Sequence, residues 1–219
     1  PEDEVRLLEG ACALFGVTPF MRQKSLEIAA MSHARSLTLD LLCVDLCADG
    51  RAELKHYIAP PEGEPGFRPG DPRIAVTIRE MSNIIDRPEA AEPVITFVEN
   101  VFASIPGLPL NQLSCEPSET GGQKLRAYFC MWARERAFER DNSNIMMSVT
   151  KIRTFMAAAA AAGAAAIPEE SVENFISKCE AGEMCLDGIG FEYSKGRLEL
   201  KAYVRPFGNT SGDGVRWPQ

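Results

Sequence analysis

Polar and apolar side chains alternate in three short stretches of the chain, at residues 51–58, 124–131 and 197–205. A period of two is typical of a β-strand, in which successive side chains point to opposite faces of a sheet. We therefore predict three amphipathic strands, each with one apolar face and one face that carries basic residues and a tyrosine. The residues predicted on these faces are Arg51, Glu53, Lys55 and Tyr57; Lys124, Arg126, Tyr128 and Cys130; and Arg197, Glu199, Lys201, Tyr203 and Arg205.

The first and third stretches are copies of one motif. Gly-Arg-Ala-Glu-Leu-Lys-His-Tyr at 50–57 returns at 196–203 as Gly-Arg-Leu-Glu-Leu-Lys-Ala-Tyr, and a looser copy lies at 122–128. The tyrosines that end the three copies are 71 and 75 residues apart, a spacing that indicates a repeated unit. A solvated face needs polar residues, but it does not need a basic residue two positions before each tyrosine. A closed sheet would turn these cations toward one lumen, where they could form an anion site.

Between these strands the apolar residues recur with helical spacing. A short apolar run before each polar strand is predicted to be its hairpin partner, with turns at Asp49-Gly50 and Ser194-Lys195-Gly196. The prediction is a single α+β domain of three helix–strand–strand–helix units, at about 1–70, 71–142 and 143–219, with helices covering the apolar face. The predicted helices span residues 2–15, 21–36, 72–85, 92–104, 143–164 and 168–181, and the hairpin partners lie at 41–46, around 113–116, and 189–193.

The composition narrows the class of function. A formal net charge of -8 argues against a nucleic-acid partner, which needs a basic field. Seven cysteines without a Cys-X-X-Cys pair indicate reduced thiols of a cytoplasmic protein. The two histidines, His33 and His56, are far apart, which argues against a histidine-rich metal site.

No signal peptide is visible in the sequence. The alanine-rich stretch 157–166 is predicted to be a packed helix, because it is too short and too closely flanked by charges to span a membrane.

The strand Leu200-Lys201-Ala202-Tyr203-Val204-Arg205 is followed by Asn209-Thr210-Ser211 and Val215-Arg216. This stretch resembles the Arg-X-Lys-X-Tyr-Val-Arg strand, and the Thr-Ser and Val-Arg after it, of aromatic prenyltransferases of the dimethylallyltryptophan-synthase type. The copies ending at Tyr57 and Tyr128 have shorter forms of the same pattern. The resemblance implies the prenyltransferase barrel, also called ABBA: repeated α-β-β-α units that form an antiparallel β-barrel with the helices outside.

Members of that family transfer a dimethylallyl group from an allylic diphosphate to an electron-rich aromatic ring, commonly indole, without catalytic magnesium. The resemblance therefore implies an indole prenyltransferase with no metal and no cofactor, whose partners are an allylic diphosphate and a small aromatic acceptor such as tryptophan. A homodimer remains an open alternative. The residues implied in the site are Lys55, Lys124, Arg126 and Lys201 on the diphosphate, Tyr57, Tyr128 and Tyr203 around the allyl cation, and Asp45 or Glu116 as the carboxylate that orients the acceptor.

The chain departs from the family pattern at two points. Glu199, and Glu53 in the first copy, stand where the family strand carries arginine, so diphosphate binding requires that these carboxylates pair with cations. The chain also offers fewer units than a closed family barrel needs. Because it begins at Pro1 and ends inside a family-like stretch, we expect an incomplete chain with an incomplete or partly open barrel. Two other functions stay open: a non-catalytic barrel or open sheet that binds an apolar or anionic ligand, and a structural or interaction module with solvated polar faces.

Overall fold

The structure, a computed structural model, describes residues 2–46, 52–64, 66–130, 142–181 and 183–206. Within these ranges two helices precede each β-hairpin, three times in succession. The predicted unit was helix–strand–strand–helix, and the same elements follow one another here when the count starts at the first of the two helices. The boundaries of the units stay a prediction. The helices are α1 (Glu2–Leu14), α2 (Pro19–Ala34), α3 (Pro72–Ile84), α4 (Ala91–Ser104), α5 (Asn142–Ala161) and α6 (Glu169–Glu180); the strands are β1 (Thr38–Leu46), β2 (Ala52–Ala59), β3 (Gln112–Glu116), β4 (Lys124–Cys130), β5 (Met184–Ser194) and β6 (Arg197–Pro206).

The six predicted helices are all present, and their ends agree with the prediction to within three residues. The start of α2 was predicted two residues late because its cap lies outside the apolar pattern. The Thr18 hydroxyl accepts a hydrogen bond from the Met21 backbone N–H, and Pro19 occupies the first turn. Asp71 and Pro72 begin α3 in the same way. Helix α5 ends at Ala161, before the predicted end at residue 164. Gly163 takes a positive φ of 96°, so the alanine-rich stretch does not continue as a helix.

The six strands form one antiparallel sheet in chain order, from β1 at one edge to β6 at the other. The turn predicted between β5 and β6 is confirmed: Lys195 and Gly196 both have positive φ, which suits a two-residue hairpin loop. The turn predicted at Asp49-Gly50 lies outside the described residues. Within the described sheet β1 and β6 do not pair, so the sheet is open.

The helices pack on one face of this sheet and form the core there with alternate strand residues. Leu54 and Ile58 of β2 are fully buried on that side, whereas Lys55 and Tyr57 between them are only half-buried. The predicted division of the strand into two faces is therefore confirmed. The centre of the core is aromatic, since Phe97 of α4 stacks on Phe191 of β5 with ring centroids 4.2 Å apart. Burial of each such large apolar side chain contributes about 1.5–3 kcal/mol.

Among the described helices, none is both long and apolar enough to cross a membrane.

Candidate functional site

The face of the sheet that turns away from the helices, here called the tyrosine face, carries the predicted site residues. Strand alternation and pairing register place on it the residues that do not enter the core. It is formed by Leu41, Cys43 and Asp45 of β1, Glu53, Lys55 and Tyr57 of β2, Gln112, Ser114 and Glu116 of β3, Lys124, Arg126 and Tyr128 of β4, Gly190, Glu192 and Ser194 of β5, and Glu199, Lys201 and Tyr203 of β6.

The three predicted tyrosines contact one another across this face and form a continuous tyrosine row. The ring centroids of Tyr57 and Tyr128 are 5.8 Å apart, and those of Tyr128 and Tyr203 are 5.4 Å apart. The Tyr203 hydroxyl donates a hydrogen bond to the Tyr128 hydroxyl at 3.1 Å. Burial raises the pKa of Tyr128, the Arg126 charge counteracts this, and Tyr203 and Tyr57 raise it further, so the phenol stays neutral. The tyrosine row thus joins strands from all three hairpins.

A glycine beneath the rings makes this contact possible. Gly190 of β5 lies directly opposite Tyr128 in the register of β4 and β5. A Cβ atom at this position would lie 3.1 Å from ring carbons of both Tyr128 and Tyr203, which is tighter than ordinary van der Waals contact. The absence of a side chain therefore lets two tyrosine rings rest on the backbone of β5.

Beside the tyrosine row lies a charge ladder of alternating sign, Lys124–Glu116–Arg126–Glu192–Lys201. Glu116 binds the Lys124 Nζ at 2.7 Å and the Arg126 guanidinium at 3.2 Å. Glu192 binds the same guanidinium from the other side and the Lys201 Nζ at 2.7 Å. Both carboxylates are buried, with 1% and 2% of the surface of Glu116 and Glu192 exposed, and Arg126 is 6% exposed. The tyrosine face is therefore not an ordinary solvent-exposed polar surface, because three of its charged side chains are buried.

The protonation states in the charge ladder follow from opposing effects. Burial alone would lower the pKa of Arg126, but Tyr128, Glu192 and Glu116 raise it on balance. Burial alone would raise the pKa of Glu192, but the hydrogen bond from Lys201 and the charge of Arg126 lower it on balance. The partners therefore keep both buried groups ionised.

The remaining predicted site residues form a separate pair near the β1 edge. Lys55 donates a hydrogen bond to Asp45, which is half-exposed. Burial alone would lower the pKa of Lys55, whereas this hydrogen bond and the charges of Glu116 and Asp45 raise it overall. The structure thus buries Glu116, the last residue of β3, and leaves Asp45 half-exposed near the β1 edge.

Each of the four predicted cations is already paired with a carboxylate. Glu199, which departs from the family pattern, approaches Lys201 only at 3.9 Å and is exposed. The four cations meet four carboxylates, Asp45, Glu116, Glu192 and Glu199, so this set has no formal net charge. An anionic ligand would have to exchange places with carboxylate oxygens rather than enter an open cluster of cations.

Sequence reasoning missed two residues at the centre of this face, Glu192 and Ser114. The signal for Glu192 was present, because a two-residue loop at Lys195-Gly196 pairs Ser194 with Arg197 and Glu192 with Glu199. Ser114 lies on β3, whose alternation is too short to stand out, opposite Tyr57 on one side and Arg126 on the other.

A third missed feature is a polar contact at the β1 end of the tyrosine face. The register of β1 shifts between Leu39 and Leu41, and the Asp40 carboxylate in that bulge accepts a hydrogen bond from the Gln112 side-chain amide of β3. A β-bulge bends its strand and redirects a side chain. No sequence pattern marked this bulge.

Neither models of known protein families nor curated proteins give a match to this chain. The described ranges contain no group of three or more histidine, cysteine, aspartate or glutamate residues that could hold a metal ion. The fold is an open antiparallel α+β sheet with helices on one face, and its candidate site is the tyrosine row with the adjoining charge ladder.

Proposed function

We propose that the protein transfers a prenyl group from an allylic diphosphate to an aromatic acceptor, and that its sheet is an open form of the prenyltransferase barrel. The observation that carries the proposal is the contact of three tyrosines, one from each hairpin, beside the charge ladder. Aromatic faces attract cations, and basic side chains bind phosphate oxygens by charge-assisted hydrogen bonds. An allylic diphosphate needs both kinds of group next to each other.

The diphosphate is proposed to bind where the basic side chains reach the surface. Lys201 is part-exposed, and Lys124 and Lys55 are half-buried, whereas Arg126 lies beneath them. Diphosphate oxygens would take over hydrogen bonds that Glu116 and Glu192 now accept. The bond between the allylic carbon and oxygen breaks with its electron pair going to the diphosphate, and these cations stabilise the charge that develops.

The allyl cation is proposed to lie against the tyrosine row, which shields it from water until the acceptor ring attacks. A new bond forms from a ring carbon of the acceptor to the allylic carbon, and the ring then gives its proton to the released diphosphate. Of the two predicted carboxylates, we propose Glu116 as the group that orients the acceptor. It is buried on the tyrosine face beside Arg126, whereas Asp45 is half-exposed near the β1 edge.

A second candidate function is non-catalytic binding of an apolar or anionic ligand. The balanced charges favour the apolar ligand, because a cluster without net charge attracts a polyanion less strongly than four unpaired cations would. The open sheet favours non-catalytic binding as well, since water can reach an allyl cation from the side between β1 and β6.

The two functions are separated by assaying turnover and binding together. The full chain is incubated with dimethylallyl diphosphate and tryptophan or indole in the presence of a chelator, and the product is followed by mass spectrometry. We expect a prenylated acceptor. Diphosphate binding without product would favour the second candidate, and no diphosphate binding at millimolar concentration would rule out the proposed transfer.

The first testable prediction concerns Lys201→Ala. Losing a charge-assisted hydrogen bond worth about 1.5–3 kcal/mol should weaken diphosphate affinity about 10- to 150-fold in calorimetric titration. Lys24→Ala is the matched control, because Lys24 is also a paired lysine, bound to Asp86 on the helical side. Equal affinities in the two variants would show that Lys201 does not bind the diphosphate.

A further inference from the structure

Ser114 occupies a central position on the tyrosine face. It lies on β3 directly opposite Tyr57 of β2, and on its other side directly opposite Arg126 of β4. Its side chain is fully buried. The strand therefore holds a small hydroxyl group between one ring of the tyrosine row and the only guanidinium of the charge ladder.

The Ser114 hydroxyl has no hydrogen-bond partner in this structure. A buried hydroxyl without a partner costs about 1–3 kcal/mol, and such groups are few in folded proteins. The charged groups around it are engaged elsewhere, since Arg126 binds Glu116 and Glu192. An alanine would fit the same strand without this cost. Two serines and a threonine of the helices also lack a partner, so it is the place of Ser114 on the tyrosine face, between Tyr57 and Arg126, that points to a ligand.

We propose that Ser114 is a substrate-binding residue, whose hydroxyl donates a hydrogen bond to an oxygen of the bound diphosphate when Tyr57 turns aside to admit it. This inference rests on the proposed function and adds a neutral donor to its four cations. The lysine and arginine donors of the charge ladder must release a carboxylate before they can bind the diphosphate. The Ser114 hydroxyl has no hydrogen bond of its own to give up. The diphosphate oxygen would lie between Ser114 and Arg126.

The helical side of the sheet supplies a matched control. Ser25 of α2 is also fully buried, and its hydroxyl likewise has no hydrogen-bond partner. It belongs to a helix that packs on the core side, away from the tyrosine face. A Ser→Ala change at either position removes the same atom from an equally buried place, and only one of the two should affect a ligand on the tyrosine face.

The test is calorimetric titration of the full chain with inorganic diphosphate and with the unreactive thiolo analogue of dimethylallyl diphosphate. We expect Ser114→Ala to bind both ligands about tenfold more weakly than the unaltered protein, and Ser25→Ala to bind them equally well. The midpoint of thermal unfolding should stay unchanged or rise in both variants, because each loses an unpartnered polar group. Ser114→Cys, which replaces the hydroxyl with a slightly larger thiol that donates weakly, should show the same loss of affinity.

Three outcomes would overturn the inference. Unchanged affinity of Ser114→Ala for both ligands would show that the hydroxyl does not contact the diphosphate. A loss confined to the thiolo analogue would place the hydroxyl against the prenyl group instead, and a large fall in the unfolding midpoint would give Ser114 a structural role. If the unaltered protein binds neither ligand, the proposed function fails together with the inference. If the unaltered protein binds them and Ser114→Ala has no effect, only the inference is refuted.

Discussion

At the scale of single residues, His56 stands out because strand alternation places an ionisable ring among apolar side chains. It is fully buried on the core face of β2, opposite Leu42 of β1 and Cys115 of β3. Burial lowers its pKa to about 4, and a backbone contact with Cys115 offsets only part of this effect. The ring is therefore neutral in the folded protein at neutral pH, and charging it would disrupt the core.

A pH dependence of stability follows from His56. Its folded pKa of about 4 is below the unfolded value of 6.5, so the unfolded chain takes up the proton first. Between these values stability should fall by about 1.4 kcal/mol per pH unit as the pH decreases. Urea unfolding from pH 7.5 to 4.5 measures the free energy of unfolding of the unaltered protein and of His56→Leu. We expect this free energy to fall less steeply with decreasing pH in the variant. His33→Leu, at an exposed position, is the control; parallel curves for all three proteins would contradict the prediction.

Gly190 gives a second prediction at this scale. A valine there should push against the rings of Tyr128 and Tyr203 and destabilise the protein by about 1–3 kcal/mol, as overpacking does. If this contact is the cause, Tyr203→Ala in the same chain should relieve part of the cost. A double-mutant cycle in urea measures that coupling, and strictly additive effects would show that valine acts at some other point.

At the scale of elements, the charge ladder ties four strands together through two buried carboxylates. Glu192 of β5 reaches Arg126 on β4 and Lys201 on β6. Removing one member of a buried ion pair leaves its partner buried without a counter-charge, which costs more than the intact pair contributes.

The corresponding prediction compares Glu192→Gln with Glu199→Gln. These glutamates lie opposite each other on β5 and β6, but Glu192 is buried and Glu199 is exposed. We expect a loss of about 3–5 kcal/mol in the free energy of unfolding for Glu192→Gln and a change within about 0.5 kcal/mol for Glu199→Gln. Chemical denaturation measures both values, and similar small losses would mean that the ladder is solvated.

Local patterns in the sequence predicted the elements well, and for identifiable reasons. The helices follow from the spacing of apolar residues, and the faces of β2 and β6 follow from strict alternation. The Asp40 bulge interrupts the pairing of β1 with β2, and no local pattern in the sequence marks it. The place of Ser114 could not be predicted, because it depends on how β3 pairs with β2, which is distant in the chain. The pairing of the four predicted cations with carboxylates likewise required the register of neighbouring strands.

At the scale of the whole molecule, the sheet has one face covered by helices and one carrying the tyrosines and the charge ladder. The α+β class and the outer helices were predicted from the sequence, but the closed barrel was not found in the described part of the chain. Closure is decided by whether β1 and β6 meet, and no local pattern encodes the contact of two edge strands. The open side bears directly on the proposed function, because a prenyl transferase must keep water away from its cation.

The strict chain order of the strands also has a consequence for how the protein folds. Each hairpin joins neighbours in the chain, whereas Arg126 and Glu192 are 66 positions apart and must close a long loop to meet. Closing a longer loop costs more entropy, and contacts between distant parts of a chain slow folding. Hairpins should therefore form before they join one another. The tyrosine row, which takes one ring from each of the three, is then completed only when the last hairpin docks.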